Sequence, residues 1–343
     1  MKPEVSILTL TYNHERYISQ CLDSVIHQTF LPWEQIIIDD GSTDGTWDII
    51  QQYAKSDSRI QAFRQTNIGP FRMVQTYNRA LFLSQGRHIA ILEGDDRWPL
   101  NKLEIQSSFH TPEVIFSYGR TVIIDEHDSD IGVYADHWMS DELLESWYVR
   151  NSLLLRRAGI MPVSVMLNRD KLLSMGGFRT DIVVMPDGSR ISFPAIDYPT
   201  FLRYLLIKGK VQRINSALGS WRQHPQQTTQ KYESVFHEGA YQLALVGITA
   251  SRQLGMFKKL YKAHRKFASD FYLLELRNAL DNNDRPKAIN AIKRLLWWGG
   301  QKRRLEALYG MLALSQGKNM EVPFKLYDRF LTFTRKGTKD VKF

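Results

Sequence analysis

Three carboxylates, Glu93, Asp95 and Asp96, close the apolar run Ile89-Ala90-Ile91-Leu92. Such a run suits a buried strand, and Gly94 lets the chain turn sharply at its end. Acidic side chains crowded at one strand end repel one another unless a cation sits among them. Hard oxygen ligands of this kind suit Mg²⁺ or Mn²⁺, with phosphate and water completing the shell. An acidic surface turn is the plain alternative. A second strand, Glu34 to Asp40, weighs against it, because it too ends in a carboxylate pair, Asp39 and Asp40.

The elements that must position these acids are legible around them. The Asp39-Asp40 pair breaks into Gly41-Ser42-Thr43-Asp44-Gly45, and a helical pattern with Trp47, Ile49, Ile50 and Tyr53 follows. A first strand, Val5 to Leu10, ends in Thr11-Tyr12-Asn13-His14 before a helix carrying Ile18, Leu22, Val25 and Ile26. Three strand-then-helix units in so short a stretch predict an open, mostly parallel α/β sheet. Such sheets bind ligands outside the carboxyl ends of their strands, where all three polar clusters lie.

At this point the chain resembles the N-terminal domain of inverting, nucleotide-sugar-dependent glycosyltransferases of family 2, which have the GT-A fold. The matching pieces are Val5-Ser6-Ile7-Leu8 with Thr11-Tyr12-Asn13, Ser24 to Thr29, and Ile38-Asp39-Asp40-Gly41-Ser42-Thr43-Asp44. Asn67-Ile68-Gly69, Asn78, Gly86 and Glu93-Gly94-Asp95-Asp96 follow in the family's order. The resemblance implies a GT-A (Rossmann-like), mostly parallel sheet flanked by helices, and apolar spacing of three and four residues further on predicts a C-terminal helical region. The expected divisions are residues 1–110 for the nucleotide-sugar half, 111–230 for the acceptor half and 231–343 for a basic helical region.

The resemblance also implies roles. Asp96 maps onto the carboxylate that meets the metal, Mn²⁺ or Mg²⁺, and Asp95 lies beside it near the ribose or the metal's waters. Glu93 stands where many relatives have Asp, and its extra methylene favours orienting a metal-bound water. Asp40 maps onto the residue that hydrogen-bonds a pyrimidine, and Thr11 and Tyr12 onto the base pocket; ordinary packing is the alternative for Tyr12. Asn67 belongs to the donor-side motif, and Arg72 beyond it is placed to reach the phosphates or to stand as a solvated arginine.

Inverting transfer needs one general base on the acceptor side. Pro194-Ala195-Ile196-Asp197-Tyr198-Pro199 resembles the family's acidic helix start, which makes Asp197 the base, although Asp before Pro199 also suits a helix cap. The family often has Glu-Asp here, whereas Ile196 precedes Asp197. Asp187 and Asp181 are the reserves. Gly176-Gly177-Phe178 resembles the turn before the acceptor loop, with Phe178 expected in the core. Trp221-Arg222-Gln223-His224-Pro225 resembles a segment whose Arg and His approach the diphosphate; His224 would neutralise charge, complete the metal shell, or serve a structural purpose.

Composition sets the outer limits. With 43% hydrophobic and 24% charged residues, the 343-residue chain can bury one large or two medium cores. Cys21, the single cysteine, allows no internal disulfide and falls in the apolar pattern of the first helix. No apolar stretch suits a signal peptide or a membrane span, so a cytoplasmic location is expected, with peripheral attachment at the inner face of the plasma membrane as a variant.

Charge is uneven. From Arg285 onward fourteen Lys or Arg face four Asp or Glu, a net of +10, which leaves −1 for residues 1–284 in a chain of +9. Leu295-Leu296-Trp297-Trp298 followed by Lys302-Arg303-Arg304 would suit an anionic membrane surface, and a helical bundle with a solvated basic face is the alternative. No zinc-finger or RNA-binding motif accompanies the charge, so nucleic acid is not an expected partner. The expected partners are a nucleotide sugar, with UDP favoured, and a glycan or lipid-linked acceptor in cell-surface polysaccharide synthesis. Two other functions stay open. One is a nucleotidyltransferase on a similar sheet, though its glycine-rich phosphate loop is missing from Thr11-Tyr12-Asn13-His14; the other is a catalytically silent protein that binds nucleotide sugar or polysaccharide.

Overall fold

A computed structural model of the chain describes residues 2–134, 140–154, 160–184, 190–250, 254–298 and 307. The chain divides into two compact units, Met1–Met256 and Phe257–Phe343.

The first unit opens with alternating elements: β1 (Val5–Thr11), α1 (Ile18–Ile26), β2 (Trp33–Asp39), α2 (Thr46–Ser56), β3 (Ile60–Arg64), α3 (Met73–Leu83), β4 (His88–Ile91) and α4 (Lys102–Phe109). It continues with β5 (Val114–Ile124), β6 (Asp130–Tyr134), β7 (Glu142–Glu145), α5 (Ser146–Leu154), β8 (Met166–Asn168) and α6 (Arg169–Ser174). The hairpin β9 (Ile182–Val184) and β10 (Arg190–Ser192), then α7 (Asp197–Tyr204), β11 (Lys210–Arg222), α8 (Thr228–Lys231) and α9 (Glu233–Ala250) complete it.

Nine strands form one sheet in the order β3-β2-β1-β4-β8-β5-β11-β7, with β6 paired to β5. Strands β1, β2, β3 and β4 run parallel. The short β8 is antiparallel to both β4 and β5, so direction is restored across it, and β11 is parallel to β5. The carboxyl ends of β1, β2, β4, β5 and β11 therefore share one edge of the sheet. That edge carries the acidic clusters that follow β2 and β4.

Burial explains the run-like sequence of these strands. Ile36, Ile37 and Ile38 are all fully buried, as expected where helices cover both faces. Val5, Ile7 and Ile37 pack with Ile18, Leu22 and Val25 of α1, Ile50 of α2 and Trp33. Each such side chain contributes about 2 kcal/mol by leaving water, which fixes the strand register on which the edge loops depend.

Several expected elements change at their limits. The sequence by itself suggests separate strands at 114–118 and 122–124 and at 211–214 and 218–221; the first two form the single strand β5 and the last two form β11, with irregular register between Ile214 and Gly219. The run from Ile160 to Met166, whose apolar residues read as a strand, is instead a 3-10 turn, Pro162–Ser164, before the short β8. Pro162 has no N–H to give a ladder, which explains the difference.

The helical region from residue 231 onward begins with α9 in the first unit. The second unit contains α10 (Phe257–Asp281) and α11 (Arg285–Trp298). They pack on each other, with Leu276, Leu280, Ile292 and Leu295 buried, and Asn283 takes a left-handed φ of 54° in the turn between them. Lys287 and Lys293 lie on the exposed side of α11. The Gly299-Gly300 pair, which suggests a turn, the cations 302–304, the Leu305-Leu308-Leu312 spacing, which suggests a helix, and the side chains of Trp297 and Trp298 lie outside the described residues.

Candidate active site

The acidic turn after β4 is held by its neighbours on three sides. Gly94 donates its N–H to the Leu10 carbonyl at 2.9 Å, which ties the turn to β1. A β-carbon at Gly94 would lie 2.5 Å from Thr11 Oγ1 and 2.9 Å from His14 Nδ1, so only glycine fits. The Tyr77 hydroxyl of α3 donates to Glu93 Oε1 at 2.9 Å. From β11, the Arg222 N–H donates to Asp96 Oδ1 at 2.9 Å, and Arg222 Nε donates to the Asp95 carbonyl at 2.8 Å. Asp95 Oδ2 faces two imidazoles, His224 Nε2 at 3.1 Å and His14 Nε2 at 3.9 Å.

These groups are buried: Asp95 is 8% exposed, Asp96 4% and His224 6%. Burial pushes the Glu93 carboxyl up to about 7, with further contributions from the charges of Asp95 and Asp197. Burial, then the charges of Asp95 and Glu93, push Asp96 well above the usual carboxylate range. Burial also pushes Asp95 upward, but His14 and His224 outweigh it and hold that carboxyl low. The cluster is short of positive charge.

A divalent cation fits this setting. Glu93, Asp95 and Asp96 each bring a carboxylate oxygen within 4.8 Å of the others, and so do the ligand atoms of His14, Asp95 and His224 among themselves. Asp95 Oδ1 is buried without a hydrogen-bond partner, an orphaned acceptor of the kind a metal satisfies.

The two acids after β2 have separate tasks. Asp39 is fully buried; it accepts from Ser42 N–H and Oγ and pairs with Arg64 at 3.2 Å, which holds the turn. Asp40 faces the other way and accepts from Gln65 Nε2 at 2.8 Å and from the N–H groups of Ile68 and Gly69 at 3.1 Å each. Asn67 Nδ2 donates to the Asp40 carbonyl at 2.9 Å. Gly41 and Gly69 both have φ of 75°, which lets the two loops close on each other. Thr11 is buried and pairs with His14 Nδ1 at 3.1 Å, whereas Tyr12 is 44% exposed and Arg72 is exposed beyond the Pro70–Arg72 turn.

Asp197 is the first residue of α7, behind an N-cap at Ile196 that makes no side-chain bond. Burial pushes its carboxyl up, and its charge is one of the causes that raise Glu93. A chain of contacts links the two regions. Thr200 of α7 accepts from the Arg179 N–H at 2.9 Å, Asn78 bonds both the N–H and the carbonyl of Phe178, and the Phe178 ring packs on Tyr77. Gly176 and Gly177 have left-handed φ values of 84° and 82°, and Phe178 is buried as expected. Among the reserve bases, Asp181 pairs with Arg203, and Asp187 lies outside the described residues.

Arg222 departs from its expected approach to the diphosphate. It is only 1% exposed. Its guanidinium donates to the carbonyls of Asp95 and Asp125, to Gln20 Oε1 and to Asp128 Oδ1, and it lies 4.7 Å from the Tyr17 ring centre. These four bonds lock the acidic turn to α1 and to the β5–β6 hairpin. His14 had no assigned role in the sequence, because it meets Asp95 and His224 only through three loops far apart in the chain. Its one sequence-level trace is an imidazole beside Thr11 at a strand end.

An open sheet, parallel but for its short linking strand and edge strands, with acids gathered at its carboxyl edge and helices on both faces, defines the GT-A fold. Residues 6–156 match the model of Glycosyl transferase family 2. TuaG of Bacillus subtilis is 46% identical over 109 residues, 32% of this chain and 42% of TuaG. The Escherichia coli protein WfgD, named a UDP-Glc:alpha-D-GlcNAc-diphosphoundecaprenol beta-1,3-glucosyltransferase, is 35% identical over 169 residues, 49% of this chain and 61% of WfgD. The chain thus spans about half the length of these curated relatives. Among solved structures, S. aureus TarS 1-349 with UDP-GlcNAc aligns at a TM-score of 0.59 and 15% identity, covering 93% of each chain. The Pyrobaculum calidifontis mannosyltransferase PcManGT, solved with GDP-Man and Mn2+, aligns at 0.52 and 16%, covering 95% of this chain and 83% of its own. Among the described residues, no helix is long and apolar enough to cross a membrane.

Proposed function

We propose that this chain is an inverting glycosyltransferase that moves a sugar from a nucleoside-diphosphate sugar, with UDP as the nucleotide, to a glycan or lipid-linked acceptor. The observation that carries the reading is the meeting of an undercharged acidic turn, Glu93 to Asp96, with Asp40 on the same sheet edge and with Asp197, whose charge reaches Glu93. The UDP-Glc donor and diphosphoundecaprenol-linked acceptor in the name of WfgD support the choice of UDP and of a lipid-linked acceptor. They also support a task in cell-surface polysaccharide synthesis.

The residues divide the work. Asp40, with Thr11 behind it, reads the pyrimidine edge, and the exposed Tyr12 ring stacks on the base. Asn67 keeps the Asp40 loop closed, and Arg72 approaches the phosphates. Asp95, Asp96 and His224 would hold Mn²⁺ or Mg²⁺, which would supply Lewis-acid stabilisation of the departing diphosphate. Glu93, oriented by Tyr77, would position a water of the bound ion. The acceptor hydroxyl attacks the anomeric carbon on the face opposite the diphosphate; the bond to the phosphate oxygen breaks, and Asp197 takes the hydroxyl proton. A raised carboxyl pKa suits Asp197 to that task.

The basic second unit is read as a peripheral contact with an anionic membrane surface, at the inner face of the plasma membrane where a lipid-linked acceptor would reside. Calorimetric titration with UDP, GDP, dTDP and CMP sugars in the presence of Mn²⁺ tests the donor reading. Binding of a UDP-sugar that is lost in Asp40→Ala supports it. Binding of none of the four classes to the folded protein refutes it.

A further inference from the structure

The acidic turn offers oxygen ligands on one side, but its two best-placed nitrogen ligands come from elsewhere in the chain. His14 lies in the loop after β1 and His224 in the loop after β11, and their ring centres are 6.2 Å apart at an interplanar angle of 90°. Both Nε2 atoms face the same oxygen, Asp95 Oδ2, at 3.9 and 3.1 Å. The ligand atoms of all three residues lie within 4.8 Å of one another. Donors around a single ion at about 2.0–2.2 Å sit roughly 3–4 Å apart, so small side-chain rotations would close the shell.

We propose that His14 joins His224 and the acids of the turn at one metal site, so that two imidazoles meet the ion beside Asp95 and His14 is a direct ligand. Three further observations support it. Thr11 Oγ1 lies 3.1 Å from His14 Nδ1, within reach to accept from an Nδ1–H, the tautomer that leaves the Nε2 lone pair facing Asp95. The Thr46 hydroxyl accepts from the His14 N–H at 2.8 Å, which fixes the loop that carries the ring. Asp95 Oδ1 is buried without a partner, while Glu93 Oε1 and Asp96 Oδ1 are already committed to Tyr77 and Arg222. Asp95 is the one acid of the three that both imidazoles reach.

The donor set has a consequence for metal choice. Imidazole nitrogen suits first-row transition ions, whereas Mg²⁺ prefers an all-oxygen shell. The site therefore takes Mn²⁺ or Co²⁺ in preference to Mg²⁺. It does so without nucleotide, because the chain itself supplies three ligands. The proposal rests on the donor-binding reading above only for what the ion does once bound.

Pulsed electron paramagnetic resonance on the full chain with Mn²⁺ and no nucleotide tests it. Two imidazole-nitrogen couplings are expected, and they should persist in about hundredfold excess Mg²⁺. His14→Ala should leave one coupling and raise the Mn²⁺ dissociation constant at least roughly tenfold. A single coupling or no bound Mn²⁺ in the wild type, displacement by Mg²⁺, or two couplings in His14→Ala would overturn the assignment. The wild-type count decides by itself if His14→Ala does not fold. UDP-sugar binding on the same samples is a separate measurement; its failure would sink the donor reading and leave the nitrogen count standing.

Discussion

Arg222 gives its backbone N–H to Asp96 Oδ1 at 2.9 Å, so the end of β11 holds the last acid of the turn after β4. The same residue binds the Asp95 carbonyl and the Asp128 carboxylate from a fully buried guanidinium. Removing one partner from a buried charged network costs about 3–5 kcal/mol, because the other partners are left without compensation. Arg222→Met should lower the melting temperature by many degrees. Arg222→Lys keeps the charge without the planar fork, so it should fold but bind Mn²⁺ more weakly than wild type. Unchanged metal affinity in Arg222→Lys would show that the lock does not position the acids.

Asp197→Asn keeps the shape of α7's first turn but cannot take the acceptor's proton. Donor binding by calorimetry should survive while transfer falls at least roughly 10²-fold. Asp181→Asn should disturb only the pairing with Arg203 and leave turnover close to wild type. The reverse pattern would move the base to Asp181.

Gly94→Ala places a β-carbon against Thr11 and His14, neither of which can move without breaking the loop after β1. The expected result is a folded sheet with impaired metal-dependent nucleotide-sugar binding. Circular dichroism together with calorimetry reads both halves of that statement.

Acid should weaken the fold through His88 and His110, whose rings pack 4.5 Å apart beside α4. Burial, then Arg87, pushes His88 down to about 4 from 6.5, and burial with nearby positive groups pushes His110 down as well. The unfolded chain therefore takes up more protons than the folded one between about pH 6.5 and 4. The stability these neutral rings permit is fully present above pH 6.5 and is lost as pH falls toward 4. Melting curves from pH 7.5 to 4.5 should show the decline, and His88→Gln should flatten it. Equal slopes for the two proteins would remove His88 from the explanation.

Membrane attachment through the second unit should make the full chain sediment with anionic vesicles, and less so as salt rises. A chain ending at Met256 should stay in the supernatant. Equal behaviour of the two would leave the basic residues as a solvated or protein-binding face.

The legible part of the fold was the part with one-dimensional signatures. Apolar runs stopping on Asp39-Asp40 and Glu93-Asp95-Asp96 marked two strand ends, and the sheet places both at one edge. The continuity of β5 and β11 was not legible, because polar residues such as Arg120 and Ser216 interrupt the apolar pattern while the ladder runs on. The Pro162 turn was missed because its flanking apolar residues mimic a strand. Contacts across long separations left no trace either. Arg222 resembles a ligand-facing cation until its burial is seen, and His14 gains its meaning only beside Asp95 and His224.

Glycosyl transfer at this sheet edge is tested most directly by the anomeric configuration of a product. The full chain with Mn²⁺, an α-linked UDP-sugar and polyprenyl-diphosphate-linked sugar acceptors would be followed by proton NMR and by UDP release. The prediction is a β-linked product with UDP released in step, and loss of both in Asp197→Asn and in Asp95→Ala. An α-linked product, or transfer undiminished by either substitution, would contradict it.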